Sequence, residues 1–406
     1  MFIALFCLFA LIFVTIVYFR LVRKIVKSRL WRIVLLLILI VLGASFVWAM
    51  RGRNYIQPNS GSYDLVTIGF YVMTVAAILC VCLIIRDLVL GCIRLGSALK
   101  RRQASEVASQ PDAASQLSSA VSTRREFLMK ATSFAALGCT VVSSPVAVWV
   151  AKSDRKVRST ELQFDKLPQA FDGFRIVHLS DIHVGNTISR ANVEDIVRET
   201  NALKPDMIVI TGDIADGKPQ FVAQDLEPMR ALKAPYGIFY VTGNHEHMWG
   251  GHAWCQAVAD LGFVVLQNAH HLVQKDGAQI AVCGAIDFRG DRRDKTWKSD
   301  PALALKGLPD ELFKLMLVHQ PASVDLSFEH GADLVLLGHT HGGQFWPANY
   351  IVDAVHKYAR GLYLMEQKAA FVSCGTGYWG PPLRIGVPPE ICLHTLKCSG
   401  KSVYLG

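Results

Sequence analysis

The chain has 406 residues, which is enough for one or two globular domains with cores of their own. An apolar fraction of 51% is high for an entirely soluble protein. The net charge of +9 lies mostly beside apolar runs, where basic residues orient membrane helices, so no nucleic-acid partner is expected. All 13 histidines follow residue 170, which divides the chain into an apolar half and a histidine-rich half.

Three apolar runs predict a membrane domain over residues 1–100. They cover residues 1–19, 33–50 and 66–85, and each is about long enough to cross a bilayer. A segment in lipid must satisfy its own backbone hydrogen bonds, so each run is predicted to be a helix. The weaker stretch 88–98 is predicted either to lie at the interface or to continue the third helix.

Two further segments separate this domain from the histidine-rich half. Residues 101–121 are rich in Ala, Ser and Gln and predict a flexible linker. Residues 122–152 contain the pair Arg124 and Arg125, followed by an apolar run over 131–150. This segment resembles a twin-arginine translocation signal, which implies the twin-arginine machinery as a partner. An ordinary membrane helix with basic flanks is the alternative.

The distribution of Lys and Arg predicts the orientation in the membrane. Residues 20–32 carry six of them, residues 51–65 carry two, and residues 86–125 carry seven. The positive-inside rule places the first and third connections in the cytoplasm. A fourth crossing at 131–150 then puts the histidine-rich half outside. We therefore expect a multi-pass protein of a bacterial inner membrane, in contact with the lipid bilayer, with its second half extracytoplasmic.

The second half, residues 160–406, alternates strand-like and helix-like patterns, which predicts α/β layers. Helices are predicted at Arg190–Leu203 and Gln220–Leu232. The predicted strands are Phe174–Ser180, Met207–Thr211, Gly237–Thr242, Gln279–Cys283, Leu315–Val318, Asp333–Leu337, Leu362–Glu366, Ala370–Ser373 and Ile391–Leu396.

Five polar clusters follow predicted strands. Because ligands bind beyond the carboxyl ends of strands, we expect these clusters to meet at one sheet edge. They supply Asp, Asn and His and no thiolate, a donor set that suits Mn, Fe, Zn or Mg. The clusters are His178–His183, Gly212-Asp213, Gly243–Glu246, His319 and Gly338–Gly343.

The spacing within these clusters indicates a site for two cations. Residues i and i+2 of a strand point to the same face, so Asp181 and His183 are predicted to bind one ion together. The carboxylate of Asp213 can bridge two ions. A pair of cations activates a water molecule as a nucleophile and neutralises charge on an attacked phosphoryl group. Glycines beside the ligands, such as Gly243 and Gly338, allow close approach of the backbone.

Over residues 174–342 these clusters resemble, in order and in full, the D-x-H, G-D, G-N-H-E, H and G-H-x-H pattern of the calcineurin-like metallophosphoesterases. The resemblance implies a four-layer α/β/β/α sandwich preceded by transmembrane helices. It implies two divalent metal ions and a catalytic His245, which is not a ligand and lies beside the phosphate. The implied ligands are Asp181, His183, Asp213 and His341 for the first metal, and Asp213, Asn244, His319 and His339 for the second.

Residues outside the pattern receive weaker assignments. The segment Gly375–Arg384 resembles the tail of a membrane-associated bacterial subgroup, and Arg384 is a candidate to bind substrate phosphate, with an ordinary ion pair as the alternative. Asp216 and Glu246 are predicted to orient ligands or to cap loops. His178 is interpreted either as a residue that contacts the metal ligands without binding a metal itself or as a surface residue. His394 is interpreted as either a solvated or a packed side chain without a role in the site.

The resulting hypothesis is a membrane-anchored, dinuclear-metal phosphoesterase that hydrolyses a monoester or diester, lipid- or envelope-linked, by attack of metal-bound hydroxide. One alternative is hydrolysis of UDP-2,3-diacylglucosamine in lipid A synthesis, which similar metallophosphoesterases perform on a cytoplasmic substrate. Another, from a different class, is a catalytically inactive metal-binding sensor or interaction module. An inactive module would be expected to lose a ligand or the catalytic histidine, and this sequence retains both.

Overall fold

The structure, a computed structural model, describes residues 2–52, 61–105, 114–292 and 294–398. The chain divides into two compact units. Met1–Gly52 and Asp64–Val146 belong to the first, and the segment from Ala147 onward belongs to the second. The predicted division into an apolar half and a histidine-rich half therefore corresponds to a division in the fold.

The first unit is helical. A π-helical turn at Tyr18–Val22 joins its first two helices. The helices are α1 (Phe2–Val17), α2 (Arg23–Ile25), α3 (Arg29–Gly52), α4 (Gly61–Ser105) and α5 (Ala114–Ser153), the last of which ends in the second unit. Within the described residues, four stretches are long and apolar enough to cross a membrane, which indicates a membrane protein. These stretches are Ala4–Ile25, Arg29–Gly52, Asp64–Leu99 and Glu126–Ser153.

The helices are longer than the apolar runs that predict them. Residues 88–98 continue α4 rather than leaving the helix. Of the predicted linker, residues 101–105 and 114–121 are helical, because Ala, Gln and Arg have high helix propensity, and residues 106–113 lie outside the described part of the chain. The arginine pair of the twin-arginine-like segment lies on α5.

The second unit contains twelve strands in the residues that the structure describes. They are β1 (Lys156–Gln163), β2 (Arg175–Leu179), β3 (Met207–Thr211), β4 (Ile238–Val241), β5 (Val264–Val265), β6 (Ala269–Lys275), β7 (Ala278–Gly284), β8 (Lys314–Leu317), β9 (Leu334–Leu337), β10 (Gly361–Met365), β11 (Lys368–Val372) and β12 (Glu390–Lys397). The helices are α6 (Arg190–Ala202), α7 (Pro219–Val222), α8 (Asn244–Trp249), α9 (Gly251–Asp260), α10 (Pro301–Leu305), α11 (Val324–Glu329) and α12 (Ala348–Val355).

These strands form two six-stranded sheets. The first has the order β1-β12-β2-β3-β4-β5, and the second has the order β10-β11-β9-β8-β7-β6. The neighbours β2, β3 and β4 are parallel, as are β7, β8 and β9, so their carboxyl ends lie at one edge of each sheet. β12 runs antiparallel to β2, with Cys392 paired with His178.

Burial on both faces of β3 explains its continuous apolar sequence. Met207 and Val209 pack in the core between the two sheets, whereas Ile208 and Ile210 pack against α6 and α9 on the outer face. A third core packs α11 against the outer face of the second sheet, for example Val324. The order of layers is therefore helix, sheet, sheet, helix, and the predicted four-layer sandwich is confirmed.

Several elements differ from the sequence-based predictions. β1, β5 and β6 were absent from the predicted set, because most side chains of β1 and β6 are exposed without apolar alternation and β5 has only two residues. The predicted helix at Gln220–Leu232 is a short α-helix, α7, followed by a 3-10 segment at Ala223–Ala231. Pro228 lies inside that segment, where it removes a backbone donor.

Candidate metal centre

The predicted ligands lie in loops that follow five strands, at the carboxyl ends of those strands. The loop after β2 carries Asp181 and His183, and the loop after β3 carries Asp213. Asn244 and His245 begin α8 directly after β4. The remaining ligands follow β8 and β9 of the second sheet, and they are His319, His339 and His341. The two sheets therefore contribute to the same rim of the sandwich.

The first group of converging side chains consists of Asp181, His183 and His341, all buried. Nε2 of His183 lies 3.0 Å from Nε2 of His341. Oδ1 of Asp181 lies 3.4 Å from the His341 nitrogen and 3.8 Å from the His183 nitrogen. Three potential ligand atoms thus face one another, as the resemblance implies for the first metal.

The second group consists of Asp213, His319 and His339. Oδ2 of Asp213 lies 3.3 Å from Nε2 of His319. The same nitrogen lies 3.2 Å from Nδ1 of His339 and 3.2 Å from Oδ1 of Asn244. Asp213 also lies 3.8 Å from Nε2 of His183, so this carboxylate stands between the two groups.

The chemistry of these donors fits a cation. Oδ2 of Asp181 accepts hydrogen bonds from the Ser180 hydroxyl and the backbone N–H of His339. Oδ1 of Asp181 is buried without a hydrogen-bond donor, and it faces the imidazole nitrogens of the first group. A buried carboxylate oxygen without a donor is costly unless a cation balances it. Asp181, His183, Asp213 and His341 would hold one ion, and Asp213, Asn244, His319 and His339 would hold the other.

The backbone at this rim is strained. Five predicted ligands have positive φ, in the left-handed region that non-glycine residues adopt rarely. The angles are 51° at Asp181, 56° at His183, 50° at Asp213, 75° at His339 and 50° at His341. The expectation that Asp181 and His183 share one face of a strand is therefore wrong. β2 ends at Leu179, and the loop conformation brings the two side chains together.

Two glycines allow these loops to pass close to each other. A Cβ on Gly243 would stand 2.1 Å from Oδ1 of Asp213, and a Cβ on Gly338 would stand 2.1 Å from Oδ2 of Asp181. Both distances are far below a van der Waals contact, so no side chain fits at either position. The predicted role of these glycines in close backbone approach agrees with this geometry.

His245 lies beside both groups, and one of its ring nitrogens lies within 4.8 Å of potential ligand atoms of His183 and Asp213. Its backbone N–H donates to Oδ1 of Asp213 over 2.8 Å. Nδ1 contacts Oδ1 of Asp216 in a short hydrogen bond, and Nε2 lies 3.8 Å from Oδ2 of Asp213. A carboxylate that holds Nδ1–H leaves Nε2 free to exchange a proton.

Glu246 organises the loops and contacts no candidate ligand side chain. Its two carboxylate oxygens accept hydrogen bonds from the backbone N–H groups of Asp213, Ile214 and Gly243 over 2.6–2.9 Å. Burial, followed by the charge of Asp213, raises the pKa of Glu246 to about 7. The prediction that Glu246 caps loops agrees with these contacts.

The imidazoles differ in their charge state before a metal binds. Burial, followed by the charge of His319, lowers the pKa of His339 to about 3. Burial is also the largest cause that holds the pKa of His341 well below its usual value. At His183 burial acts in the same direction, but the carboxylates of Asp216 and Asp181 outweigh it and raise the pKa to about 10. His339 and His341 are therefore neutral, the form that binds metals.

Comparisons with known proteins agree with this arrangement. The model of the family described as calcineurin-like phosphoesterase matches residues 174–343. The chain is 30% identical over 381 residues to a transmembrane protein with metallophosphoesterase domain from Danio rerio, covering 92% of this chain and 82% of that protein. It is 36% identical over 238 residues to a metallophosphoesterase of Helicobacter pylori, covering 58% of this chain and 62% of that one.

The chain belongs to the calcineurin-like phosphoesterases. The phosphoesterase is thus a metal-dependent phosphoester hydrolase, and its match to the zebrafish protein extends over the apolar helices as well as the hydrolase domain. A metallophosphoesterase of Bacillus subtilis is 32% identical over 239 residues, covering 57% of this chain and 82% of that one.

Arg384 of the phosphoesterase is placed differently from the prediction of a substrate-binding residue. Its side chain is fully buried, and the guanidinium donates to backbone carbonyls of His341, Cys374 and Gly377 over 2.6–3.0 Å. Nη2 also lies 2.9 Å from Nδ1 of His341. Because the side chain is fully buried and its Nη atoms donate to protein carbonyls, Arg384 is placed to hold the backbone of His341 in this structure.

Sequence reasoning missed two features of this region. The first is the structural role of Arg384, which donates hydrogen bonds to backbone carbonyls. The segment Gly375–Arg384 was recognised as a motif, but this role was not predicted. The other is the burial of His178 and His394, which are fully inaccessible to solvent. His178 pairs with Cys392 across β2 and β12, and no sequence signal links strands more than 200 residues apart. His394 is packed, as one of its two interpretations predicted.

Proposed function

We propose that this protein is a membrane-anchored phosphoesterase that uses two divalent ions, Mn, Fe, Zn or Mg, to hydrolyse a phosphoester, monoester or diester. The observation that carries the proposal is the position of Asp213, which stands between the Asp181 group and the His319 group with His245 beside it. Once bound, two such ions supply an activated water molecule and neutralise phosphoryl charge.

In this proposal the chain itself positions the ions and moves one proton. The two ligand groups set the separation of the ions, and the left-handed loops fix the ligands in place. His245 acts as the general acid through Nε2, because Asp216 holds its other ring nitrogen. Protonating the leaving oxygen lets the alcohol depart, and no covalent intermediate with the protein is needed.

A metal and substrate series tests this chemistry. The full-length protein is purified in detergent, stripped with a chelator and reloaded with Mn²⁺, Fe²⁺, Zn²⁺ or Mg²⁺. Each form is then assayed with a chromogenic phosphomonoester and a chromogenic phosphodiester. We expect hydrolysis that depends on the added metal and saturates near two equivalents. Metal binding without hydrolysis of any ester in the series would contradict the proposal and favour the inactive sensor or interaction module.

We further propose a lipid- or envelope-linked phosphate as the substrate class. The four candidate spans tether the hydrolase domain to a bilayer, which raises the local concentration of phosphates anchored in that bilayer. Hydrolysis of a lipid-linked phosphate in vesicles is compared with hydrolysis of its soluble head group at equal total concentration. Faster turnover of the soluble form would argue against a membrane-borne substrate.

The orientation remains part of the proposal. The charge bias of the connections supports an extracytoplasmic hydrolase domain in a bacterial inner membrane, and the arginine pair supports export by the twin-arginine machinery. Protease protection of residues 160–406 in sealed vesicles of known sidedness tests the orientation. A cytoplasmic domain would contradict this orientation, and it would favour the alternative of a cytoplasmic UDP-2,3-diacylglucosamine substrate.

A further inference from the structure

A second cluster of potential ligands lies inside the sandwich, separate from the rim. It consists of His178 on β2 with Cys392 and His394 on β12, and all three side chains are fully buried. Cys392 is the direct cross-strand partner of His178, and His394 points to the same face because it follows two residues later. One ring nitrogen of each histidine and the sulfur of Cys392 all lie within 4.8 Å of one another.

Directed hydrogen bonds determine which nitrogen of His178 carries its proton. The Ser180 hydroxyl donates to Oδ2 of Asp181 over 2.5 Å, so its oxygen accepts the hydrogen bond that Thr211 donates over 2.8 Å. The Thr211 oxygen in turn accepts from Nε2–H of His178 over 2.8 Å. Nδ1 of His178 is therefore left with a lone pair, and no hydrogen-bond donor among the residues that the structure describes reaches it.

His394 is held in a similar way. Its Nδ1 is hydrogen-bonded to the hydroxyl of Thr160 on β1 over 2.7 Å, and within the described part of the chain its Nε2 has no hydrogen-bond partner. Two imidazoles are thus each fixed through one nitrogen and each present the other nitrogen unpaired in the protein interior. Metal-binding histidines have this arrangement, because a partner on the outer nitrogen sets the orientation and the tautomer of the ring.

The electrostatic surroundings keep both rings neutral. Burial lowers the pKa of His178 to about 3 and holds the pKa of His394 well below its usual value. Burial, followed by the charge of Glu390, raises the pKa of the Cys392 thiol well above its usual value. The thiol therefore keeps its proton unless a cation compensates the thiolate, which is what a bound dication does.

We propose that His178, Cys392 and His394 form a third metal site, mononuclear and distinct from the two-metal rim, that binds Zn²⁺ through two imidazole nitrogens and one thiolate. Nitrogen and sulfur donors select Zn²⁺ over Mg²⁺ or Mn²⁺. On binding, the S–H bond of Cys392 breaks and the S–Zn bond forms. The proton leaves toward Oε1 of Glu390, which lies 3.5 Å from the sulfur.

We infer that an ion at this site holds the strands that carry the first ligand loop of the rim. Its ligands and their hydrogen-bond partners lie on or directly after β1, β12, β2 and β3, so one ion joins four adjacent strands. The chain of hydroxyls from His178 through Thr211 and Ser180 ends on Asp181, a candidate ligand of the rim. A zinc ion at this site fixes the strand that carries the first rim loop.

Cobalt spectroscopy separates this site from the rim. Cobalt bound to a thiolate gives an intense sulfur-to-metal charge-transfer absorption, and the predicted rim ligands include no sulfur. The full-length protein in detergent is freed of metal and titrated with Co²⁺. We expect one equivalent to produce the charge-transfer band, in the wild type and in Cys255→Ser, which alters a buried cysteine of α9 outside the cluster. We expect Cys392→Ser to lose it.

X-ray absorption at the zinc edge of the wild-type, zinc-loaded protein provides a measurement that does not depend on a variant folding. We expect a zinc–sulfur shell at about 2.3 Å with the amplitude of one sulfur on one of the bound ions. Absence of a sulfur shell, absence of the cobalt band in the wild type, or a band that persists in Cys392→Ser would each overturn the proposal. None of these readouts depends on hydrolysis, so the third site and the proposed activity can fail independently.

Discussion

Oδ1 of Asp216 accepts a short hydrogen bond from Nδ1 of His245 and lies 3.3 Å from Nδ1 of His183. One carboxylate therefore orients the proposed general acid and a candidate metal ligand together. The rings of the two histidines stand nearly perpendicular, with centroids 4.6 Å apart. The proposed proton donor, His245, thus lies next to the candidate metal ligand His183. Because they are different side chains, mutation can test the two roles separately.

Replacing the proposed general acid is expected to slow turnover and leave the metals in place. We expect His245→Asn to lower kcat by roughly 10²–10⁴-fold, the usual contribution of general acid catalysis. Metal content, measured by mass spectrometry of the purified protein, should match the wild type. His330→Asn, at an exposed histidine next to α11, is the control and should change neither quantity. Loss of metal in His245→Asn would assign this residue to the ligands instead.

Asp216 is expected to affect catalysis by orienting His245, whose Nδ1 it holds. We expect Asp216→Ala to lower kcat by roughly 10–100-fold, the range found for residues that orient a functional histidine. In the His245→Asn background the same change should lower kcat by less than in the wild type, because the contact of Asp216 with His245 is already lost and its contact with His183 remains. Independent, multiplicative losses in the double variant would show that Asp216 contributes by another route.

The carboxylate between the two ligand groups is expected to be needed for both ions. We expect Asp213→Asn to bind less than one equivalent of metal and to show no measurable hydrolysis, because each group loses its shared anionic ligand. Asp276→Asn, at an exposed turn between β6 and β7, is the matched control. Two tightly bound equivalents in Asp213→Asn would rule out a bridging role.

The buried guanidinium is expected to control the ion held by His341. We expect Arg384→Lys to weaken binding of one ion by roughly 10–100-fold and to leave the other nearly unchanged, because lysine cannot reproduce three directed hydrogen bonds to backbone carbonyls. A metal titration followed by calorimetry resolves the two affinities. Arg360→Lys, at a partly exposed ion pair with Asp353, is the control. Equal weakening of both ions would indicate general destabilisation.

A methyl group added at Gly243, where the backbone passes close to Asp213, is expected to disturb the candidate metal centre. We expect Gly243→Ala to destabilise the protein by roughly 1–3 kcal/mol and to lower metal affinity, because its Cβ would overlap Oδ1 of Asp213. Gly138→Ala on α5, where no heavy atom lies within 4 Å of the added carbon, is the control. Thermal unfolding with and without metal measures both effects. A Gly243→Ala protein as stable and as metal-rich as the wild type would disprove the close contact.

The sequence predicted which side chains meet at the rim more reliably than the backbone geometry that brings them together. The segments that follow the strands are rich in His, Asp and Asn. Because the carboxyl ends of parallel strands lie at one edge of a sheet, these residues could be predicted to meet there. The left-handed backbone at Asp181 and His183 could not be read from the sequence, because Asp and His adopt positive φ more often than most residues but still in only a small minority of cases. For Arg384, the charge suggested contact with an anion, and only the packing of the Gly375–Arg384 segment showed the side chain to be enclosed.

Long-range pairing accounts for the other omissions. β1 has a polar sequence, and its place in the sheet depends on its pairing with β12 near the other end of the domain. The same pairing of β12 with β2 assembles His178, Cys392 and His394. A sequence pattern describes neighbours along the chain, whereas these contacts depend on which strand becomes the neighbour in space.

The backbone N–H groups of Thr376 and Gly377 donate to the carbonyl oxygens of Ser180 and Asp181 over 2.7 and 3.1 Å. Thr376 is synthesised 196 residues after Ser180. The conformation of the first ligand loop therefore depends on a segment that the ribosome adds long after the loop itself. We expect a chain truncated before Thr376 to lack these two hydrogen bonds and to hold Asp181 less firmly.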